Sequence, residues 1–200
     1  MYRKILAATS NKGKLREFSQ ILEPMGFELI TPKDIGCHIS PEETGTTFRE
    51  NSLIKARAFM EATGLPALAD DSGLTVDCLN GAPGVYSARY GGEDTPYPEK
   101  IALLLEEMAQ SSNPENTRAA FVTEISLVFP DGRELCARGE VWGNIAPEIR
   151  GDGGFGYDPV FIPEGYQNTF GELPQELKNQ ISHRGKALVA LAKILEAQEN

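Results

Sequence analysis

Apolar positions along the chain switch between two spacings, and that switching is the first guide to the fold. Ile5-Leu6-Ala7-Ala8-Thr9 is a short unbroken apolar run that reads as a buried strand. Leu15, Phe18, Ile21 and Leu22 then recur three and four residues apart, which predicts an amphipathic helix from Asn11 to Glu23. Pro24-Met25-Gly26 ends that helix, and Phe27 to Thr31 makes a second strand. A loop through Pro41-Glu42-Glu43-Thr44-Gly45 leads into a helix from about Thr47 to Ala62, closed by Gly64. Two short strands, Ala67-Leu68-Ala69 and Leu74-Thr75-Val76, flank Asp70-Asp71-Ser72-Gly73. Ile101, Leu104, Leu105 and Met108 mark one face of a helix between about Pro98 and Ala109. Ala119 to Phe129 and Glu134 to Trp142 predict a hairpin around Asp131-Gly132, taken as a two-residue turn. A glycine-rich loop over 151–157 precedes a last helix, Gly185 to Ala197, with Ser182 as its cap. Helices alternating with strands, plus one long hairpin, predict an α/β fold with a mixed sheet.

Composition narrows the picture. With 200 residues and no repeat, low-complexity tract or linker, the chain is expected to form one domain over 1–200, either a single globule or two closely joined lobes. No apolar run approaches the roughly 18 residues of a membrane span. The N-terminal apolar stretch is too short for a signal peptide, so a cytoplasmic setting is expected. Cys37, Cys78 and Cys136 are scattered and lack any CxxC pairing, which argues against a disulfide framework or a cysteine zinc site. The net charge of −10 disfavours long polyanions such as DNA or RNA. A small anionic substrate remains compatible with it if the few basic residues converge.

Four segments carry candidate chemistry. Thr9-Ser10-Asn11-Lys12-Gly13-Lys14 puts two lysines in the opening turn of a helix, where they oppose the helix dipole. Either an anion sits at that N-terminus, or Asn11 simply caps a helix with solvated lysines. The segment is not a Walker A loop, because Ala8 stands where glycine is needed and Leu15 where Ser or Thr is needed. Asp70 and Asp71 close an apolar strand, a place where α/β sheets bind ligands. They suit Mg²⁺, although Asp-Asp-Ser-Gly also suits an ordinary turn. Gly153-Gly154-Phe155-Gly156-Tyr157-Asp158 offers close backbone approach and a ring for base stacking, or else core-packed aromatics. Ser182-His183-Arg184 again places basic residues at a helix start, against the dipole.

Taken together, these segments resemble the HAM1/ITPase-type family of non-canonical purine nucleoside triphosphate pyrophosphatases. The shared motifs run through Glu43-Thr44-Gly45, Thr47-Phe48-Arg49-Glu50-Asn51, Gly81-Ala82-Pro83-Gly84-Val85-Tyr86-Ser87-Ala88-Arg89, Gly154-Phe155-Gly156-Tyr157-Asp158-Pro159 and Ser182-His183-Arg184-Gly185. The resemblance implies an elongated α/β fold with two lobes, a long mixed sheet flanked by helices, a central substrate cleft and a homodimer. It implies that Thr9, Ser10, Asn11, Lys12, Gly13 and Lys14 hold the triphosphate with help from Lys55. Asp71 is implied as proton acceptor and Mg²⁺ ligand, with Glu43 as second ligand. Ser72, Phe155, Gly156, Tyr157, Asp158, Lys178, His183 and Arg184 are implied to contact the nucleotide, while Asp70 and Arg89 lie within motifs. The implied reaction is hydrolysis of ITP, dITP or XTP to the monophosphate and pyrophosphate. Arg184, a donor with no acceptor, is expected to read the 6-keto oxygen.

Overall fold

The structure, a computed structural model, describes residues 3–197. Six strands form one mixed sheet in the order β2-β1-β3-β4-β5-β6. These are β1 (Lys4–Ala7), β2 (Glu28–Ile30), β3 (Ala67–Val76), β4 (Arg118–Val128), β5 (Glu134–Ile145) and β6 (Phe161–Pro163). The helices are α1 (Lys12–Leu22), α2 (Phe48–Thr63), α3 (Tyr97–Gln110), α4 (Gln175–Ile181) and α5 (His183–Ala197). β1 pairs parallel with β2 (Ile5 opposite Leu29) and with β3 (Leu6 opposite Ala67), whereas β5 and β6 are antiparallel. The expected α/β class with a mixed, helix-flanked sheet is what forms.

The described chain divides into two compact units, and β3, β4 and β5 each pass from one to the other. The first comprises the described residues of Met1–Asp71, Thr123–Gly139 and Arg184–Asn200; the second comprises Ser72–Val122 and Glu140–His183. Phe18 and Leu22 of α1, Leu68, Ile125 and Leu127 of the sheet, and Leu188 and Leu191 of α5 build the first unit's main core. A smaller cluster sets Ala56 and Phe59 of α2 against Leu6, Ala67 and Ala69. The second unit's core joins Leu74, Ile101, Leu104, Phe121, Val141, Phe161 and Phe170. Phe170 stacks on Phe161 and Phe121 with ring centroids 5.4 and 6.1 Å apart, and Phe121 meets Phe161 at a tilt, 4.6 Å away.

Three local expectations change. The two short strands around Asp70 to Gly73 are one continuous strand, because apolar residues bury on both sides of the carboxylates and no turn is made. The hairpin loop has three residues, Pro130-Asp131-Gly132: Phe129 N–H donates to Arg133 O at 2.9 Å, and Gly132 adopts φ +88°. The last helix begins at His183, two residues early, directly after Ser182, whose N–H closes α4 on Lys178 O at 2.8 Å. The three cysteines are free, half-buried thiols. No helix of the described residues is long and apolar enough to cross a membrane.

Candidate active site

The opening turn of α1 is built by a side-chain cap. Asn11 is extended (φ −73°, ψ 113°), and its Oδ1 accepts from Gly13 N–H at 2.9 Å and Lys14 N–H at 3.2 Å. Thr9 Oγ1 accepts from Asn11 N–H at 3.2 Å. No acidic residue lies in that first turn. Ser10 and Lys12 are exposed, and Lys14 turns inward. Of the two alternatives read from the sequence, the cap is the one that forms: Asn11 takes the Gly13 and Lys14 N–H groups, Lys12 stays exposed and Lys14 is half-buried.

Adjacent residues of a strand face opposite ways, so Asp70 and Asp71 meet different partners. Asp70 takes Lys14 Nζ at 2.9 Å and Arg184 Nε at 3.2 Å on the same oxygen, Oδ2. Arg184 extends its fork to Glu17 through Nη1 at 2.6 Å. Arg184, Glu17 and Asp70 are each no more than 2% exposed. Burial pushes the Asp70 carboxyl up, yet Lys14, Arg184 and Lys55 outweigh it and hold the group ionised, well below the usual carboxylate range. Burial, reinforced by Arg184 and Lys55, pulls the Lys14 ammonium down against the attraction of Asp70. Sequence reasoning missed Glu17. Its signal is a charged residue next to Phe18, within the stripe that also carries Lys14 and Ile21 at helical spacing.

Asp71 faces α2. Asn51 Nδ2 donates to Asp71 Oδ2 at 3.1 Å, and Lys55 Nζ lies 3.9 Å from Asp71 Oδ1 and 2.6 Å from Glu43 Oε1. Asn51 and Lys55 share a helix face at i and i+4, as their spacing predicts. Burial raises the Asp71 carboxyl above its ordinary value, with Lys55 and Asn51 pulling the other way. Lys55 is pushed down by burial but raised on balance by Asp70, Asp71 and Glu43. Glu50 holds the loop that follows Glu43. Thr46 N–H and Thr47 N–H donate to Glu50 Oε2 at 2.7 and 3.1 Å, and Thr47 Oγ1 caps α2 by accepting from Glu50 N–H.

Ser72, Phe155, Gly156, Tyr157, Asp158, Lys178 and His183 belong to the second unit. Asp158 organises the glycine-rich loop: its Oδ2 accepts from Phe155 N–H at 2.7 Å and from Lys178 Nζ at 2.6 Å. A side chain on Gly154, where φ is +74°, would meet that oxygen at 2.3 Å. Lys178 also lies over the Phe155 ring, 4.6 Å from its centroid. Tyr157 is 3% exposed, donates to Ser87 O at 3.1 Å and meets Tyr97 edge-on, so it anchors the loop to the core. His183 stacks on Phe121 at 4.9 Å. Arg89 is exposed and lies over the Tyr86 ring at 5.0 Å.

The residues around Asp71 fit a divalent hard cation. Glu43 and Asp71 supply carboxylate oxygens, and a cation, the Lys55 ammonium, already bridges them. Mg²⁺ typically uses one or two carboxylates and completes its shell with water and phosphate oxygens, which is the donor set on offer. In the first unit's cluster, three cations (Lys14, Lys55, Arg184) meet four carboxylates (Glu17, Glu43, Asp70, Asp71).

The sequence profile of the Ham1 family matches residues 5–194. A dITP/XTP pyrophosphatase of Haemophilus influenzae is 49% identical over 193 residues, spanning 96% of this chain and 98% of that protein. The dITP/XTP pyrophosphatase of Deinococcus radiodurans is 48% identical over 189 residues, spanning 94% and 91%. Among solved structures, a HAM1 protein from Coxiella burnetii superposes with a TM-score of 0.90 at 41% identity, covering 98% of this chain and all (100%) of that one.

Proposed function

The chain belongs to the Ham1 family, and from that premise we propose that it is a Mg²⁺-dependent nucleoside triphosphate pyrophosphatase. In this reading it hydrolyses the non-canonical purine nucleotides ITP, dITP and XTP to monophosphate and pyrophosphate, cleansing the nucleotide pool. The hydrolase class is supported by relatives of nearly full length that carry the name dITP/XTP pyrophosphatase. A homodimer in the cytoplasm belongs to the same proposal. The observation that carries it is the meeting of Lys14, Lys55, Asp70, Asp71 and Glu43 in one cluster at the first turn of α1.

Thr9 to Lys14 bind the phosphate chain chiefly through the Lys12 and Lys14 ammonium groups, since the Asn11, Gly13 and Lys14 N–H groups are taken by the Thr9 and Asn11 side chains. Asp70, itself held by Arg184, orients Lys14, and Lys55 faces the carboxylates that flank the reacting water. Glu43 and Asp71 would hold Mg²⁺, which when bound neutralises charge on the phosphate oxygens. Asp71 accepts the proton of a water whose oxygen bonds to the α-phosphorus; the bond from that phosphorus to the bridging oxygen breaks, and pyrophosphate leaves. The Phe155 ring and the Lys178 and His183 side chains belong to the same proposal as contacts of the base. Donors aimed at a 6-keto oxygen are left unpaired by adenine's amino group, a mismatch worth up to about 10⁴-fold.

A panel of nucleoside triphosphates, with monophosphate and pyrophosphate measured separately with and without Mg²⁺, tests the proposal. ITP and XTP are expected to turn over far faster than ATP, with equimolar pyrophosphate. Orthophosphate as first product, or equal rates on ATP, would refute it. Asp71→Asn is expected to abolish turnover while nucleotide binding persists.

A further inference from the structure

One side chain with no role in the scheme above ties the candidate ligand Asp71 to the loop that follows the other candidate, Glu43. Asn51 is fully buried, at 0% exposure, one helical turn before Lys55. Its amide is used at both ends: Oδ1 accepts from Gly45 N–H at 2.8 Å, and Nδ2 donates to Asp71 Oδ2 at 3.1 Å. A backbone N–H at one end and a carboxylate at the other fix which end is oxygen. Gly45 lies two residues beyond Glu43. Its contact with Asn51 is close enough that an added Cβ would meet Asn51 Oδ1 at 2.7 Å and Glu50 Cβ at 2.6 Å.

We propose that Asn51 is a positioning residue that couples Glu43 to Asp71, clamping the loop of one and the carboxylate of the other through a single amide so that both reach the same cation. The proposal rests on the functional reading above. Its chemistry is specific to asparagine. An ionised aspartate cannot donate to Asp71 and would oppose it with like charge, a hydroxyl cannot span both partners, and glutamine is one methylene longer than the observed spacing. Lys55 also touches both carboxylates, but an ammonium competes with an arriving cation, whereas a neutral amide does not. Asn51 is therefore the tie that remains compatible with the loaded site.

The test is Mn²⁺ binding to the whole protein, followed by electron paramagnetic resonance in the presence of a non-hydrolysable triphosphate analogue. Native protein is compared with Asn51→Leu, which removes both bonds, and Gly45→Ala, which forces the loop off Asn51 and leaves the Asp71 bond. Outer-shell partners of this kind typically cost about 10–100-fold in metal affinity, and that weakening is expected in both variants. Turnover should recover as Mg²⁺ is raised, a rescue that general structural damage does not give. If Asn51→Leu fails to fold, as judged by its melting curve, Gly45→Ala decides alone. Native-like Mn²⁺ affinity in every folded variant overturns the coupling and leaves the proposed function standing. A native protein that takes up no Mn²⁺ overturns the metal reading, and the coupling with it.

Discussion

Replacing Arg184 by leucine separates two accounts of that residue. Read from the sequence, Arg184 is a base reader whose loss erodes discrimination between ITP and ATP. In the structure it is 1% exposed and bridges Glu17 and Asp70 through different nitrogens, at 2.6 and 3.2 Å. Removing one partner of a buried ion pair costs about 3–5 kcal/mol, because a charge is left behind without compensation. Here Asp70 retains Lys14 at 2.9 Å, and Glu17 is the carboxylate that loses most with the guanidinium, so the low end, about 3 kcal/mol, is expected. For a chain of this length that corresponds to a melting temperature lowered by about 6–12 °C.

Thermal unfolding by circular dichroism measures the loss directly. Adding Glu17→Gln to Arg184→Leu removes the Glu17 charge, so the double variant should be more stable than Arg184→Leu alone, giving a non-additive cycle. Arg184→Lys should recover little, since a single ammonium does not reproduce a fork that serves two carboxylates. Because Asp70 orients Lys14, the KM for the triphosphate should rise in parallel. An Arg184→Leu protein that melts within about 2 °C of native, with Glu17→Gln bringing no recovery, would show that the guanidinium does not hold this cluster together.

Glu50 accepts backbone N–H bonds from Thr46 and Thr47, first of its causes being the Thr46 bond, and its carboxyl lies below its ordinary value. A depressed folded value means stability that is present above the unfolded pKa and lost as pH falls through the folded one. Glu50→Gln should therefore lose less of its urea midpoint than native protein on acidification below about pH 4.5, and equal losses would refute this. Lys178→Met leaves Asp158 buried without its ammonium partner at 2.6 Å, and a loss of about 3–5 kcal/mol should appear in urea unfolding. Phe18→Ala empties a fully buried position under α1 and should cost about 3–5 kcal/mol by the same measurement.

What could be read from the chain follows the range of the forces involved. α1 and α2 were legible because apolar spacing, Asn11 and Thr47 caps and Gly64 are local signals. The unbroken run of β3 through Asp70-Asp71-Ser72-Gly73 was not. Residues with turn propensity stay extended there because Lys14 and Arg184 neutralise Asp70 from α1 and α5, while Asn51 and Lys55 take up Asp71 from α2. Those partners lie 16 to 114 positions away, a separation that no local pattern reports. The same long-range pairing decides the site. A lysine opposing a helix dipole looks like an open invitation to an anion, and Lys14 does stand at that turn, but a buried aspartate already holds it in place. The opening helix thus presents an arranged cation rather than a free one, and arrangement before arrival is what lets a site favour the charge that develops in the transition state.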